Sequence, residues 1–329
     1  MSATIKDVAR LAGVSKSTVS RVLSNSGKYS QEAKEKVMQA AKELNYTSNA
    51  IARAMVTKQT GNIGFLIHHR HEPVLSHPFY SQLLSAVVET ATVYNHGVLV
   101  FTDRDIQKCI ENFQAQRVDG VILASRMTRD ILERFSAANI PVVLVNHSVK
   151  VENASYVKND DYGGAYDAVY YLLKQGHRRI GLICDPDERQ RYEAYRQALH
   201  HHGVAYDEAL VYFTDAKVEQ GKQGARYFLG QSRLPSAIFA ANDMTAIGVI
   251  KELKANGIQV PHDVSVVGFD DIEFASLYEP ALTTVKVDKT LIGELAVRQL
   301  LRHINSESRN EDLGEEITLP ASLVVREST

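Results

Sequence analysis

Two hydrophobic rhythms divide the chain. Up to about residue 47, apolar positions recur three to four apart. Ile5, Val8, Ala9 and Ala12 form one stripe, Val19, Val22 and Leu23 a second, and Ala33, Val37, Ala40, Ala41 and Leu44 a third. That spacing predicts three short amphipathic helices. Their ends are also marked. Thr4 with Asp7 reads as a variant capping box, and Gly13 stops the first helix. Val14 fills the turn, and Ser15 caps a helix from Lys16 to about Leu23. Ser30 caps the third helix, Glu32 lies in its first turn, and Asn45-Tyr46 ends it. Helix, tight turn and helix make a helix-turn-helix. The three enclose only a small core, marginal by itself.

From Asn62 onward the rhythm changes. Unbroken apolar runs recur: IGFLI (63–67), GVLVF (97–101), DGVILAS (119–125), IPVVLVN (140–146), RRIGLIC (178–184), SAIFAAN (236–242) and DVSVVGF (263–269). Between them lie amphipathic stretches of helical length. Short β-branched runs alternating with helices predict parallel strands buried on both faces and joined by right-handed crossovers. The pattern restarts, with one block from Ile63 to about Val157 and another from Ile180 to about Asp270. Two similar α/β lobes with a cleft between them is the economical reading. Lys58-Gln59-Thr60-Gly61 is a short polar boundary between head and body.

Charge sharpens that division. Residues 1–60 carry ten Lys and Arg against four acids, a net of +6, leaving 27 bases and 35 acids, a net of −8, on the rest. A basic head on an acidic body points to a polyanion met by the head alone. With 44% hydrophobic and 23% charged residues the composition is that of a soluble globular protein. No apolar run suggests a membrane span, and MSATIKDVARL does not read as a signal peptide. Cys109 and Cys184 lie far apart, which is neither a disulfide framework nor a zinc spacing. They read as small buried hydrophobes in a reducing cytoplasm.

With Val19 and Val22 turned inward, Lys16, Ser17, Ser20 and Arg21 fall on the opposite face of the second helix. A major groove admits one such helix, whose first residues reach base edges. Arg21 can bond a guanine edge through two donors, and Lys16 can reach a similar acceptor pair. Ser15, Thr18, Ser20, Lys28 and Ser30 are the candidates for phosphate contact. A solvated helix face is the bland alternative. The positive charge of the head and the capped helix-turn-helix favour DNA.

The stretch TIKDVARLAGVSKSTVSRVL, continued by YSQEAKEKVMQAAKELNYTSNAIARAM, resembles the DNA-binding head of the LacI/GalR repressor family over the first 55 residues. The resemblance implies that Lys16, Ser17 and Arg21 read bases. It implies that SNAIARAM is a hinge helix folding on DNA, with Asn49, Ala52 and Arg53 along the minor groove. Met55 would be the apolar wedge at a central base step, where the family usually has Leu. It also implies a two-lobed body of the periplasmic sugar-binding kind, crossed three times by the chain. The expected domains are then a head at 1–47, a hinge and linker at 48–60 and a core at 61–329. Lobe one takes 61–158 and 289–316, and lobe two takes 159–288 and 317–329.

In open parallel sheets, ligands sit beyond the carboxyl ends of the strands. There the sequence places Asn146, Arg191, Asn242-Asp243 and Asp270-Asp271, with Phe79 and Tyr80 ahead of the first body helix. Carboxylates, amides, a guanidinium and aromatic faces suit a small polyhydroxylated ligand. The resemblance assigns effector contacts to Arg191, Asn242 and Asp270. The chain departs from the family at Ala194, where Gly is usual, at Ala216, where many sugar-binding members have an aromatic residue, and at Val287, often polar. Stacking would then fall to Phe79, Tyr80 or Phe269. Asp271 and Asn242 could instead cap the helices that follow them, and Arg191 could be a surface ion pair.

Enzyme chemistry finds no support. Asp270 and Asp271 are adjacent and diverge, and no phosphate-cradling glycine loop, GxSxG or HExxH occurs. His68, His69, His71 and His77 lack supporting acids for a metal, and His200–His202 end a helix as a solvated run. No cofactor is implied. The expectation is a cytoplasmic, ligand-responsive repressor of a carbohydrate-utilisation operon. Its partners would be operator DNA, a sugar effector and a second copy of itself. No leucine heptads follow PASLVVREST, which favours a dimer over a tethered tetramer. A purine or protein co-regulator as effector, and a sugar-modifying enzyme with a DNA-binding head, are the rival readings.

Overall fold

The computed structural model describes residues 3–23, 27–46, 59–67, 76–102, 105–115, 118–124, 127–138, 140–147, 149, 151, 154–305 and 314–329. The hinge candidates Asn49, Ala52, Arg53 and Met55, with His68, His69 and His71, lie outside the described residues.

The head comprises α1 (Ile5–Ala12), α2 (Lys16–Leu23) and α3 (Gln31–Glu43). Val8, Val19 and Val37, one from each helix, are fully buried together. The Asp7 carboxylate accepts from the Thr4 N–H at 3.0 Å and its hydroxyl at 2.7 Å. Gly13 ends α1 at φ +65°, a left-handed conformation that favours glycine.

The body holds two six-stranded sheets. Lobe one runs β1 (Asn62–Leu66), α4 (Pro78–Val93), β2 (Gly97–Phe101), α5 (Ile106–Ala115), β3 (Gly120–Leu123), α6 (Arg129–Ala137), β4 (Val142–Val145) and β5 (Ala154–Asn159). Lobe two runs α7 (Asp161–Lys174), β6 (Ile180–Cys184), α8 (Arg189–His201), β7 (Val211–Phe213), α9 (Val218–Leu229), β8 (Ala237–Ala240), α10 (Asp243–Ala255), β9 (Ser265–Asp270), α11 (Glu273–Leu277) and β10 (Thr283–Lys286). The chain then returns to lobe one as α12 (Lys289–Asn305) and β11 (Glu316–Leu319), and closes in lobe two as β12 (Ser322–Val324).

The sheet orders are β11-β5-β4-β3-β1-β2 and β12-β10-β9-β8-β6-β7, parallel except for β12. The first five strands of each match in order and direction, and only the outer strands β11 and β12 differ in direction, so the restart in the sequence is a repeat of topology. Each reverses direction of winding beside its first strand, at β1/β3 and β6/β8, where α/β sheets open a ligand crevice.

Central strands β3, β4, β6 and β8 are buried along their whole length, as helices on both faces require. GVLVF is different: β2 is an edge strand and half-exposed. The lobe boundaries also shift. β5 reaches Asn159, and Ile317, Thr318 and Leu319 pair with Val157, Lys158 and Asn159. Residues 317–319, expected in lobe two, therefore lie in lobe one, and the last crossing falls at 320–321.

Candidate effector cleft and DNA-reading face

On the head, Lys16, Ser17 and Arg21 stand exposed on the side of α2 opposite Val19 and Val22. Ser15 caps α2: its hydroxyl oxygen accepts from the Thr18 N–H at 3.1 Å. The Ser15 hydroxyl also shares hydrogen bonds with the hydroxyls of Ser17 at 2.7 Å and Thr18 at 2.9 Å. Ser17 must leave this cluster to reach a base. Ser30 caps α3 by accepting from the Ala33 N–H at 3.1 Å. Each cap fixes a helix N-terminus, where unsatisfied N–H groups suit phosphate. The stem of Arg21 lies against Gly27, whose φ of +75° keeps that position open to glycine. Ser20 is half-buried and Lys28 exposed.

In the body, a cavity of about 390 Å³ opens between the lobes. Lobe one contributes His77, Phe79, Tyr80, Ala124, Val145 and Asn146. The Tyr80 ring meets Phe79 edge-on at 5.2 Å and His77 at 5.1 Å, so the wall is aromatic. Burial pushes His77 down to about 4, leaving it neutral near pH 7. Asn146 sits at φ +54° after β4, and its side-chain oxygen accepts from the Asn159 N–H at 3.2 Å.

Lobe two contributes the charge. Arg191 is 6% exposed, not a surface ion pair. Its Nε and Nη2 donate to Asp161 Oδ1 at 3.0 and 2.8 Å. Its Nη1 donates to Glu188 Oε1 at 3.2 Å and to the Ala241 carbonyl. The guanidinium lies 3.7 Å over the Phe269 ring, and Asp270 Oδ1 approaches Nη2 at 3.8 Å. Burial opposes its charge, but Asp161, Glu188 and Asp270 together outweigh that and hold its pKa above the ordinary value. Asp270, at φ +114°, closes β9. Burial pushes its carboxyl up to about 7, against the pull of Arg191 and Lys289.

Asn242 takes the capping role and also faces the cleft. Its side-chain oxygen caps α10 through the Thr245 N–H at 2.8 Å, and the residue lines the cavity. Asp271 caps nothing: it pairs with Arg326 at 2.6 Å. Asp243 lies beneath the cleft, accepting from the Ile272 N–H at 2.8 Å and from the Thr284 hydroxyl. Burial, then the nearby Asp270, raises its pKa.

Phe269 is fully buried beneath Arg191, so of the three aromatic candidates only Phe79 and Tyr80 line the cavity. Ala216 lines it as well, whereas Val287 is packed into the core and does not. Tyr195, after Ala194, is a core residue whose hydroxyl donates to the Ile180 carbonyl at 2.8 Å. Sequence reasoning missed Asp161, Asp185, Asp187, Glu188, Asp215 and Lys217. For Glu188 a signal existed, since it stands three residues before Arg191 at the start of α8.

Residues 4–49 match the model of bacterial regulatory proteins of the lacI family, and 169–329 match a periplasmic binding protein-like domain. The chain is 34% identical to the HTH-type transcriptional regulator RegA of Clostridium saccharobutylicum, over the full length of both. The chain belongs to the LacI/GalR family. This LacI-family regulator is similar in structure to the lac repressor dimer bound to operator and the anti-inducer ONPF, with a TM-score of 0.84 and 30% identity, covering 100% of this chain and 99% of that one. It is similar also to the transcriptional regulator CelR–cellobiose complex, with a TM-score of 0.76 and 32% identity over 99% and 100% of the two chains. A LacI-family chain is a DNA-binding transcriptional regulator with a ligand-binding domain, and the helix-turn-helix head and the two-lobed body are those parts here. Among the described residues no helix is long and apolar enough to cross a membrane.

Proposed function

We propose that this regulator is a cytoplasmic, dimeric repressor of a carbohydrate-utilisation operon, controlled by an uncharged sugar bound in the cleft. The charge of the cavity carries the reading. Six acidic side chains line it, from Asp161, Asp185, Asp187, Glu188, Asp215 and Asp270, the last only partly ionised near pH 7, against the two cations Arg191 and Lys217. Arg191 is already held by Asp161 and Glu188, and His77 is neutral. A phosphate or carboxylate would meet net repulsion here, whereas sugar hydroxyls can donate to the acids and accept from Arg191. Phe79 and Tyr80 supply an apolar wall for a sugar face, and Asn146 and Asn242 supply amides. The volume falls within the roughly 300–1,000 Å³ usual for small-molecule sites. The solved CelR–cellobiose complex supports the class of ligand.

On DNA, two heads present α2 to the half-sites of a near-palindrome, as a two-fold dimer requires. Lys16, Ser17 and Arg21 read bases. Ser15, Thr18, Ser20, Lys28 and Ser30 hold phosphates, giving salt-dependent affinity. Asn49, Ala52, Arg53 and Met55 act in the minor groove. The lac repressor dimer on its operator supports this arrangement. Ligand alters the angle between the lobes and so biases the hinge.

A thermal-shift screen of the full chain tests the effector. Neutral mono- and disaccharides should raise the melting temperature, and sugar phosphates should not. Stabilisation by hypoxanthine or by a phosphorylated sugar, with none from neutral sugars, overturns the assignment.

A further inference from the structure

One helix bonds both to a residue that lines the effector cleft and to the segment that leads to the head. At its first residue, Lys289, the ammonium donates to the carbonyls of Asp270, of Asp271 at 3.1 Å and of Val287 at 3.2 Å. Asp270 therefore shows its carboxyl to the cavity and its carbonyl to α12. Lys289 itself is 6% exposed, and it joins a lobe-one helix to a strand end of lobe two. At the far end, the Gln59 side chain donates to the Ile304 carbonyl at 3.4 Å and to Asn305 Oδ1 at 3.3 Å. The 17 residues of α12 span about 25 Å at the helical rise of 1.5 Å per residue.

The helix is held firmly along its length. Gly293 lets it approach α4 so closely that an added Cβ would stand 2.7 Å from Ala86 Cβ and 3.0 Å from the Leu83 carbonyl oxygen. Leu300 fills the space over Gly120 on β3. The segment after Gln59 is fixed as well: the Asp119 carboxylate accepts from the N–H groups of Thr60 and Gly61, each at 2.7 Å. Gly61 then gives its carbonyl to the Gly97 N–H at 2.8 Å. A helix packed this tightly moves as a unit.

We propose that α12 is the lever coupling the cleft to the DNA-binding linker, with Lys289 and Gln59 as positioning residues at its two ends. A change in the angle between the lobes displaces the end of β9. Lys289 carries that displacement to α12, and α12 delivers it to the linker through Gln59. The lever belongs to the fold and does not depend on which ligand occupies the cleft.

Coupling between sites is reciprocal, which makes the idea testable without ligand or operator. The probe is amide hydrogen exchange on the full-length chain, comparing the wild type with Lys289→Met and Gln59→Ala. Lys289→Met should speed exchange at Thr60 and Gly61 by about threefold or more, the signature of easier local opening at the far end. Gln59→Ala should speed exchange at Leu291 and Ile292. In both variants α9, which packs against α10, β6 and β7, should exchange as in the wild type. Effects confined to the mutated end in each variant overturn the proposal. If Lys289→Met fails to fold, Gln59→Ala, which trims a half-buried side chain outside the hydrophobic core, decides alone: unchanged exchange at Leu291 and Ile292 overturns the lever.

Discussion

Replacing Arg191 by Met should be among the most destabilising single changes in the body. The guanidinium holds four hydrogen bonds: two to Asp161, one to Glu188 and one to the Ala241 carbonyl. The side chains of Asp161, Glu188 and Asp270 are only 11%, 10% and 11% exposed. Met fills much of the volume over Phe269 but leaves these carboxylates without their shared cation. Breaking a buried ion pair by removing one partner costs about 3–5 kcal/mol. At roughly 2–4 °C per kcal/mol for a domain of this size, the melting temperature should fall by about 6–20 °C. Asp161→Asn should cost less, because Glu188 and Asp270 still face the guanidinium. The double variant should be less destabilised than the sum of the two, since neutralising Asp161 removes one of the stranded charges. The chain has no tryptophan, so urea unfolding is best followed by far-UV circular dichroism. A loss under about 1 kcal/mol for Arg191→Met, or strict additivity in the double variant, would refute the view that this cation balances three buried acids.

Other perturbations probe the head, the titration of the cleft and the packing of lobe two. Arg21→Ala should cost about 1–3 kcal/mol on a duplex selected in vitro and little on random DNA, read by fluorescence anisotropy; equal losses on both would remove its base-reading role. Asp270 titrates near 7 in the folded chain against an ordinary value of 3.8. Its protonated form is favoured by folding, so its stabilising contribution is complete below about 4 and is lost as pH rises through about 7. Asp270→Asn should therefore flatten the fall in ligand-free melting temperature across that range, and an unchanged profile would place the titration elsewhere. Gly248→Ala should destabilise by about 1–3 kcal/mol or more, because its Cβ would stand 2.0 Å from the Val218 carbonyl oxygen, where α9 and α10 touch. A melting temperature equal to the wild type would show that the two helices part easily.

The elements were legible because their signals are local. Ser15 and Ser30 cap helices by bonding an N–H three residues ahead, and Gly13 ends α1 through its own φ. An apolar run such as VVLV can stay in solution only if both faces are covered, so it announces a central strand. Edge position is not local: GVLVF reads like its neighbours, and only the strand order leaves β2 half-exposed. The boundary at 317–319 failed for the same reason, since pairing with β5 is decided more than 150 residues away.

Sequence by itself determined the basic three-helix head, the repeated α/β body and the polar side chains at strand ends, because helix periodicity, capping and two-sided burial are written in neighbouring residues. It also placed Arg191, Asn242 and Asp270 near one another through a family pattern. Tertiary structure alone decided what those residues do. Asp161 reaches Arg191 across 30 positions and Lys289 reaches the Asp270 carbonyl across 19. Phe269 is hidden beneath a guanidinium instead of facing the ligand. The acidity of the cavity, too, is a sum over loops that meet only when both sheets are closed. Electrostatics and burial depend on distance in space, and in a chain that crosses between lobes three times that distance bears no relation to separation in sequence.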